Sequence, residues 1–551
     1  VKTVKSHPHS TKCDFGAGHG VPKSGLSRRR LAMDVLHEDL LHRLLQSLPG
    51  RAWRSLGAAT PATRSALRSF LAERNQVKLT QMAFRCWPLE PIALACPRLQ
   101  RLSLFQVDLP LIPVTARSDW CQGFEHLTCL QRLDLVECRF VNDEVLDLIF
   151  ERCALQTLDV SWSGEFTDAP WSRAPVSLKH FYGIGCEHLT ERVMVHLGAR
   201  CPELTLLHAS RHLNWIGSTR SELLTAFSRM KCLEDLALQD IPLDDDLLNT
   251  LAELDKLKHL QLWSFSTGPG LCMTGRGIER LAFSLTSLKK LSLDSFVFQS
   301  AEPLHCLSSQ CPSLCELLLE GTQPCSMGTL GHLCFSKLVR LRLASCGVAG
   351  QLDCSAMPLL QYLWLFDNTG LTKIHGNGQA LEVLNLGSTG CCSIEGFEFQ
   401  RLVMLDLSML HLRDKQLSPI LLKAPYLIKV VLGENSMSPE LLVDFLTSAR
   451  QLKNLSLCCS ASGSLTLLSL SLSERPPEDF AVKLQLLELY EASCTLLASS
   501  MSVEAWPVGG SAVIKRGGGR RVRLWVVEQQ EPVSPYGRIH RADESWLPVQ
   551  S

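Results

Sequence analysis

Two histidines in the segment HEDLLH, His37 and His42, have the residue type and nearly the spacing that bind zinc on a helix. In that motif the histidines are four residues apart, so both imidazoles lie on one helix face. Here they are five residues apart, and at about 100° per residue the imidazoles point about 140° apart. They cannot bind the same zinc ion, so the segment predicts no metal site.

The 23 cysteines are numerous enough to form disulfides or zinc sites. Structural zinc sites need paired C-x-x-C units, and the sequence contains none. Many cysteines instead occupy fixed places beside a recurring leucine pattern, namely Cys96, Cys138, Cys153, Cys201, Cys311 and Cys346. Because a free cysteine behaves as a small buried hydrophobe, we interpret these as structural thiols. We predict no metal and no other cofactor.

Catalytic motifs of other kinds are missing as well. The sequence has no G-x-S-x-G nucleophile motif, no phosphate-binding P-loop and no G-x-G-x-x-G that follows a strand. The glycines at 16–20 lie in a segment rich in Gly, Ser and His, whose composition favours disorder. The sequence therefore predicts a protein that is not an enzyme.

The pattern L-x-x-L-x-L, with other apolar residues allowed, recurs about every 25 residues. Its copies begin at Leu99, Leu130, Leu155, Leu178, Leu204, Leu233, Leu257, Leu288, Leu314, Leu338, Leu360, Leu381, Leu402, Leu427, Leu452 and Leu484. One strand with its return segment cannot bury its own apolar face, so neighbouring copies must stack. We predict an α/β fold, a leucine-rich-repeat solenoid with a curved parallel sheet and helices on the convex side.

The return segments differ from copy to copy. Those at 143–153, 190–201 and 438–449 have apolar residues at helical intervals, with a Ser, Thr or Asp where the helix would begin. We predict helices there. The returns of the copies that begin at Leu360 and Leu381 are too rich in glycine for a full helix.

Strand alternation places the residue between the last two leucines on the concave side of the sheet. In the copy that begins at Leu360, three aromatic residues alternate with the inward leucines and therefore also point to the concave side. The preceding copy has two arginines at the equivalent positions, about 5 Å away. Trp, Tyr and Arg are enriched at binding hot spots. We therefore predict that a protein substrate binds Arg340, Arg342, Tyr362, Trp364, Phe366, Trp263 and Asn385. The concave histidines His180, His208 and His259 are interpreted as hydrogen-bonded surface side chains.

Charge and hydropathy exclude some partners. Fifty-five basic and 55 acidic residues give a formal charge of zero, so no global field favours nucleic acid or a membrane. The sequence has no run of 18 apolar residues and no signal-peptide pattern. We predict a cytoplasmic protein. The basic segment KRGGGRRVR at 515–523 is a candidate nuclear-localisation or RNA-contacting tail, although a solvated tail explains it better.

The segment at 35–67 resembles an F-box, a short helical module whose first half usually has the pattern L-P-x-E-L-L-x-x-I-L-x-x-L-P. His37 replaces the first proline, Leu41 fills a further apolar place, and the matching residues are Leu36, Asp39, Leu40, Leu44, Leu45, Leu48 and Pro49. The second half departs from the pattern, because the usual Val-Cys pair and the following Trp are absent. The CP-x-L openings of several copies resemble the cysteine-containing leucine-rich repeats that are typical of F-box proteins.

This resemblance implies a substrate-recognition subunit of a Skp-cullin-F-box ubiquitin ligase. The residues that would bind the Skp-family adaptor, and through it the cullin-RING ligase, are Leu36, Leu40, Leu41, Leu44, Leu45, Leu48 and Pro49. Two alternatives remain. One is a ubiquitin-independent scaffold similar to ribonuclease-inhibitor-like proteins, whose first helices only cap the repeats. The other is an RNA-binding protein that uses the basic tail.

The expected organisation has five parts. Residues 1–30 are a disordered segment, 31–72 the F-box-like module, and 73–98 a linker and N-terminal cap. Residues 99–497 contain about 16 repeats, and 498–551 form a disordered tail.

Overall fold

The computed structural model describes residues 75–80, 89–107 and 122–452, and then the strand residues 454–461, 464–472, 511–515 and 521–528. Short gaps interrupt the long range at 165, 211–219, 240, 242, 264–272, 322–325, 377–378 and between 434 and 450. The F-box-like segment lies outside the described residues.

The strands, in chain order, are β1 (Gln76–Thr80), β2 (Arg101–Phe105), β3 (Arg132–Val136), β4 (Thr157–Asp159), β5 (His180–Ile184), β6 (Leu206–Ser210), β7 (Asp235–Gln239), β8 (His259–Trp263), β9 (Met273–Thr274), β10 (Lys290–Val297), β11 (Glu316–Gly321), β12 (Gly328–His332), β13 (Arg340–Ala344), β14 (Val348–Asp353), β15 (Tyr362–Trp364), β16 (Leu371–His375), β17 (Val383–Asn385), β18 (Ser393–Glu395), β19 (Met404–Asp406), β20 (Lys429–Val431), β21 (Asn454–Ala461), β22 (Ser464–Leu472), β23 (Ser511–Lys515) and β24 (Arg521–Glu528). The helices are α1 (Leu89–Ala95), α2 (Asp143–Arg152), α3 (Arg192–Arg200), α4 (Arg220–Arg229), α5 (Asp245–Leu251), α6 (Gly275–Ser284), α7 (Glu302–Gln310) and α8 (Asp414–Leu421), with 3-10 helices at Gln122–His126 and Ala169–Arg173. Within the described residues, no helix is long and apolar enough to cross a membrane.

The chain divides into two compact units. The first unit comprises Val1–Asp134 and Arg152–Ala154. In it, β1 pairs in parallel with β2, and Val77 stands opposite Leu102. Strand β1 thus belongs to the repeat ladder, although the sequence places it in the linker and cap. The leucine pattern misses it because Arg74 occupies the position of the first leucine.

The second unit comprises Leu135–Glu151 and Leu155–Ser551, and its strands form the parallel ladder that the repeat pattern predicts. One outward position aligns from strand to strand through Asp159, Tyr182, His208, Ala237, Gln261, Ser292, Leu318, Arg342, Trp364, Asn385, Asp406, Val431 and Ser456. The flanking leucines point the other way, and Leu363 and Leu365 are fully buried. The protein is a leucine-rich-repeat solenoid. We call the outward side of this sheet the open face.

Helices form most of the returns. The predicted helices at 143–153 and 190–201 are confirmed as α2 and α3. In the segment at 438–449 the structure describes helical backbone at Leu441, Asp444, Phe445 and Ser448. The helices α2, α3 and α6 are amphipathic and bury side chains such as Ile149 and Leu281 against the leucines.

Four consecutive returns form strands instead. Strands β12, β14, β16 and β18 make a second parallel sheet. The absence of full helices after Leu360 and Leu381 is as predicted, but the sequence does not indicate the second sheet. An extended chain covers about 3.3 Å per residue and a helix about 1.5 Å, so a strand completes a short repeat with fewer residues.

The side chain four positions after the outward residue ties neighbouring repeats together. Asn368 is fully buried, and its Nδ2 donates to the carbonyls of Leu343 at 2.6 Å and Leu365 at 2.8 Å. Its Oδ1 accepts from the Val348 amide at 2.9 Å. Cys346 occupies the same position one repeat earlier, and its thiol approaches the Leu319 carbonyl at 3.5 Å. At this position a cysteine thiol and an asparagine amide thus both contact a carbonyl of the preceding repeat.

We expect Asn368→Ala to lower the free energy of unfolding by about 1–3 kcal/mol, because three backbone groups would lose a buried partner. Urea denaturation of both proteins measures the difference. Thr369→Ala is the matched control, since Thr369 is exposed in the same turn. Equal midpoints for the two variants would contradict the structural role of Asn368.

A left-handed residue follows each of many strands, three positions after the outward residue. In the second unit the residues with this positive φ are Glu137, Trp162, Gly185, Ser345, Asp367, Ser388 and Met409. Their amides continue the hydrogen bonding beyond the strands. The Ser345 amide donates to the Phe366 carbonyl at 3.0 Å, and the Ser388 amide donates to the Ser408 carbonyl at 2.9 Å.

Antiparallel strands follow the last parallel pair. Strand β21 pairs in parallel with β20, whereas β22 is antiparallel to β21 and to β24, and β24 is antiparallel to β23. Strands β23 and β24 come from the segment that we expected to be a disordered tail. The copy predicted at Leu484 lies outside the described residues.

Candidate protein-binding surface

The predicted neighbours on β13 and β15 do lie side by side. Arg340 stands opposite Tyr362 and Arg342 opposite Trp364 in the parallel register. Each guanidinium lies over the neighbouring ring, with its central carbon 4.8 Å from the Tyr362 centroid and 5.2 Å from the Trp364 centroid. Such a contact contributes about 0.5–2 kcal/mol, depending on its desolvation. We call Arg340, Arg342, Tyr362, Trp364 and Phe366 the Arg–aromatic patch.

Acidic side chains of β11 hold both arginines from the other side. The Arg340 Nη1 lies 3.1 Å from the Glu316 Oε1, and the Arg342 Nη2 lies 2.9 Å from the Glu320 Oε2. The Glu316 carboxylate also lies 3.5 Å from the Lys290 ammonium. Two acids therefore offset most of the positive charge of three bases. The patch therefore offers rings and guanidinium planes whose positive charge is largely offset.

The arginines are only partly accessible, with side chains 28% exposed for Arg340 and 25% for Arg342. A side chain held between a carboxylate and a ring has already lost most of its rotamer freedom. A partner that binds there has less of that entropy left to remove.

Phe366 extends the patch toward the next strand because that strand is followed by a glycine. A β-carbon at Gly387 would lie 3.3 Å from the Phe366 ring and 2.7 Å from the Ser408 hydroxyl. Any larger residue at Gly387 would therefore displace one of these side chains. All three aromatic side chains are half-buried.

Asn385 does not belong to this surface, and the prediction for it requires correction. It is only 2% exposed, its Nδ2 donates to the Asp406 carboxylate at 3.2 Å, and its Oδ1 accepts from the Gly387 amide at 3.0 Å. Strand alternation predicts to which side of the sheet a side chain points, but it does not predict whether neighbouring side chains cover it, as they do here.

Burial raises the pKa of Asp406, the neighbour of Asn385, despite two hydrogen bonds from Ser408.

Trp263 lies on the open face but not in the patch. It follows Leu262 at the end of β8, and β8 is four strand spacings from β15. At about 4.8 Å per spacing, that separation is about 19 Å. A partner would need an extended contact to bind both.

The three open-face histidines are hydrogen-bonded, as predicted. The His180 Nδ1 lies 3.0 Å from the Thr157 hydroxyl. The His208 Nε2 and the His259 Nδ1 lie 2.8 and 3.1 Å from the two oxygens of Asp235. The repeat pattern did not indicate a role for Asp235. The signal that could have found it is its outward position, one strand from each histidine.

Four buried thiols have raised pKa values. Burial raises the pKa of Cys153 and Cys186 to about 12 and that of Cys201 and Cys311 to about 11, so these thiols are protonated at neutral pH. The Cys153 and Cys201 thiols approach carbonyls of the preceding repeat. These contacts confirm their structural role. Among the residues that the structure describes, no three His, Cys, Asp or Glu side chains are placed to bind a metal.

The residues predicted to bind the Skp-family adaptor, between Leu36 and Pro49, lie outside the described residues. Their role remains a prediction.

Comparison with known proteins gives little beyond this geometry. No family model and no curated protein matches the chain. Among solved structures, a chain of the TLR13–ssRNA13 complex is similar at 17% identity and a TM-score of 0.36. The match covers 71% of this chain and only 59% of that one. A chain of the complex of Rad7 and Elc1 in yeast is similar at 14% identity and a TM-score of 0.32, covering 75% of this chain and 91% of that one.

Proposed function

We propose that this chain is a non-catalytic adaptor that binds a target protein on the open face of its leucine-rich repeats. The observation that supports this function best is the Arg–aromatic patch. Two guanidiniums on β13 are held by carboxylates and lie over two rings of β15, and Phe366 follows two residues further along the chain. Such aromatic and arginine clusters are the usual hot spots of protein interfaces.

The chemistry of the patch defines the target. Because Glu316 and Glu320 offset the arginines, the main attraction is the burial of an apolar anchor against Trp364 and Phe366. The target segment should therefore bring an aliphatic or aromatic side chain. Polar groups around that anchor would hydrogen-bond to the Arg340 guanidinium, whose side chain is 28% exposed.

We further propose that the target is presented for ubiquitination. The support is the resemblance of Leu36, Leu40, Leu44 and Pro49 to the F-box pattern and of the repeats to those of F-box proteins. On this proposal the segment at 36–49 binds a Skp-family adaptor, and a recruited enzyme performs the catalysis. The rival is a scaffold that binds targets without the ligase.

The double substitution Leu40→Ala and Leu44→Ala tests the adaptor proposal. We expect at least a tenfold loss of co-purified Skp-family adaptor, because two apolar contacts are removed. The thermal transition of the repeats should change little, since the stability of a solenoid is a sum of local terms. Quantitative pull-down of the full chain and calorimetry give the two measurements.

Trp364→Ala is the control for that pull-down, since it leaves the F-box-like segment intact and should retain the adaptor. If the wild-type chain captures no adaptor, the ligase proposal is wrong and the scaffold remains. If the double variant instead loses the transition of the first repeats, the segment is a cap.

A further inference from the structure

The strands β6, β7 and β8 carry a second polar cluster on the open face, formed by His208, Asp235 and His259. One carboxylate lies between two imidazoles, at 2.8 Å from the first and 3.1 Å from the second. The Tyr182 ring packs edge-on against His208, with 5.3 Å between centroids. This arrangement holds His208 from two sides. The His259 side chain is 40% exposed.

The hydrogen bonds define the protonation of the cluster at neutral pH. An ionised carboxylate only accepts, so each neutral imidazole must donate its one N–H to Asp235. His208 then donates from Nε2 and His259 from Nδ1. Burial opposes ionisation of Asp235, but the hydrogen bonds from both histidines outweigh it and keep its pKa below the usual range. The His208 Nδ1 and the His259 Nε2 remain as acceptors.

Protonation reverses this chemistry. Each imidazolium has two N–H donors and no acceptor, and the formal charge of the three side chains changes from −1 to +1. Imidazoles in general titrate between about pH 5 and 8. Asp235 remains ionised across this pH interval, because its pKa lies below the usual range of a carboxylate.

The charged side chains around the cluster pair with one another. The Lys258 ammonium lies 2.6 Å from the Glu234 carboxylate, and Lys290 pairs with Glu316. From β5 the cluster faces His180, which bonds to Thr157, and the phenol of Tyr182. Lys179, which precedes β5, pairs with Glu203.

A partner can reach the cluster. A shallow depression of about 190 Å³ is lined by Asp235 and His259 of the cluster and by His180, Thr205, Leu206, Glu234 and Lys258, with the Glu234 carboxylate paired to the Lys258 ammonium. A water molecule occupies about 30 Å³ in the liquid, so a side-chain carboxylate fits there.

The cluster and the Arg–aromatic patch lie along one line of the sheet. His259, Lys290, Glu316, Arg340 and Tyr362 are successive partners in the register. The four spacings between His259 and Tyr362 amount to about 19 Å, and Trp364 lies two residues further along β15, so about six residues of extended chain connect His259 with Trp364.

We propose that the cluster of His208, Asp235 and His259 is a second contact for the same target segment, which binds a carboxylate of that segment when the imidazoles are protonated. The proposal rests on the proposed function, because it needs a segment that is anchored at the Arg–aromatic patch. The segment then has an apolar anchor and an acidic residue about six positions apart. Its affinity rises as the pH falls.

Fluorescence anisotropy with a labelled peptide tests this. The probe is an extended peptide with one Trp and a pair of Asp residues separated by five Gly and Ser residues, and its comparator has Asn in place of Asp. We expect the Asp peptide to bind the full chain about fivefold more tightly at about pH 5.5 than at about pH 7.5. The Asn peptide should change by less than about twofold.

The double substitution His208→Gln and His259→Gln should remove the pH dependence, while glutamine still donates to Asp235. His180→Gln is the matched control and should retain the dependence, because His180 bonds to Thr157 and not to Asp235. Equal affinity of the Asp peptide at both pH values, or a dependence that persists in the double variant, would overturn the proposal.

A separate readout distinguishes failure of the proposed function. Trp364→Ala should weaken the Asn peptide at neutral pH, where the histidine cluster contributes little. If that binding is unaffected by Trp364→Ala, the patch itself is not the anchor. If Trp364→Ala abolishes binding of the Asn peptide while the Asp peptide shows no pH dependence in the wild type, the proposed function stands and only the histidine-cluster contact is refuted.

Discussion

Replacing Trp171 by alanine is expected to lower the free energy of unfolding by about 3–5 kcal/mol. Trp171 lies in the 3-10 helix Ala169–Arg173 and is fully buried. Its ring packs against Phe181 at 4.7 Å, Phe150 at 5.4 Å and Phe166 at 6.3 Å between centroids. The rings come from three successive repeats, so the cavity would disrupt packing between repeats. Urea denaturation of wild type and variant measures the loss.

Trp171→Phe should behave differently. The indole Nε1 of Trp171 is buried without a hydrogen-bond partner. An unsatisfied buried donor costs about 1–3 kcal/mol, and phenylalanine removes it while retaining most of the apolar ring. We therefore expect the Phe variant to differ from wild type by less than about 1 kcal/mol. A loss as large as that of the Ala variant would show that the shape of the indole, and not its apolar area, matters.

Trp364→Ala is expected to weaken the bound target by about 2–4 kcal/mol, as central hot-spot residues do. The ring is the widest apolar surface of the Arg–aromatic patch, and it fixes the guanidinium of Arg342. Folding should change much less, because Trp364 is on the open face and the leucines beside it form the core. Target affinity by calorimetry and the urea midpoint together separate binding from stability.

Val431→Ala provides the matched control for Trp364. Val431 occupies the same outward position three strands further along the ladder, at about 14 Å. Its substitution should leave the target affinity unchanged. Equal losses for the two variants would mean that the target does not bind centrally on the Arg–aromatic patch.

The ladder and its open face could be predicted because they depend on strand alternation alone. The leucines that flank Arg342 or Trp364 fix which side chains point outward, and stacking brings those of adjacent copies to within one strand spacing. The patch therefore follows from spacing in the sequence. That Glu316 and Glu320 neutralise it depends on rotamers, which spacing does not determine.

Three other features could not be predicted from strand alternation. Strand β1 begins after Arg74, so its repeat lacks the first leucine, and the backbone pairing alone identifies it. Strand β12 has the sequence GTLGH, which has little strand propensity and forms because β14 pairs with it. Asn385 has the outward parity of a surface residue and is buried by its neighbours.

The left-handed turns after the strands are adopted in this one chain by glutamate, tryptophan, serine, aspartate and methionine alike. L-residues disfavour that conformation by about 1–2 kcal/mol, and main-chain hydrogen bonds to the following repeat impose it. The same main-chain hydrogen bonds thus form with chemically different side chains at the turn. Along this rim, side chains of successive repeats also lie beside one another: the Ser388 hydroxyl lies 3.1 Å from the Met409 sulfur, and the Ser345 hydroxyl donates to the Asp367 carboxylate at 2.8 Å. New surface chemistry can arise there without any change to the leucine core.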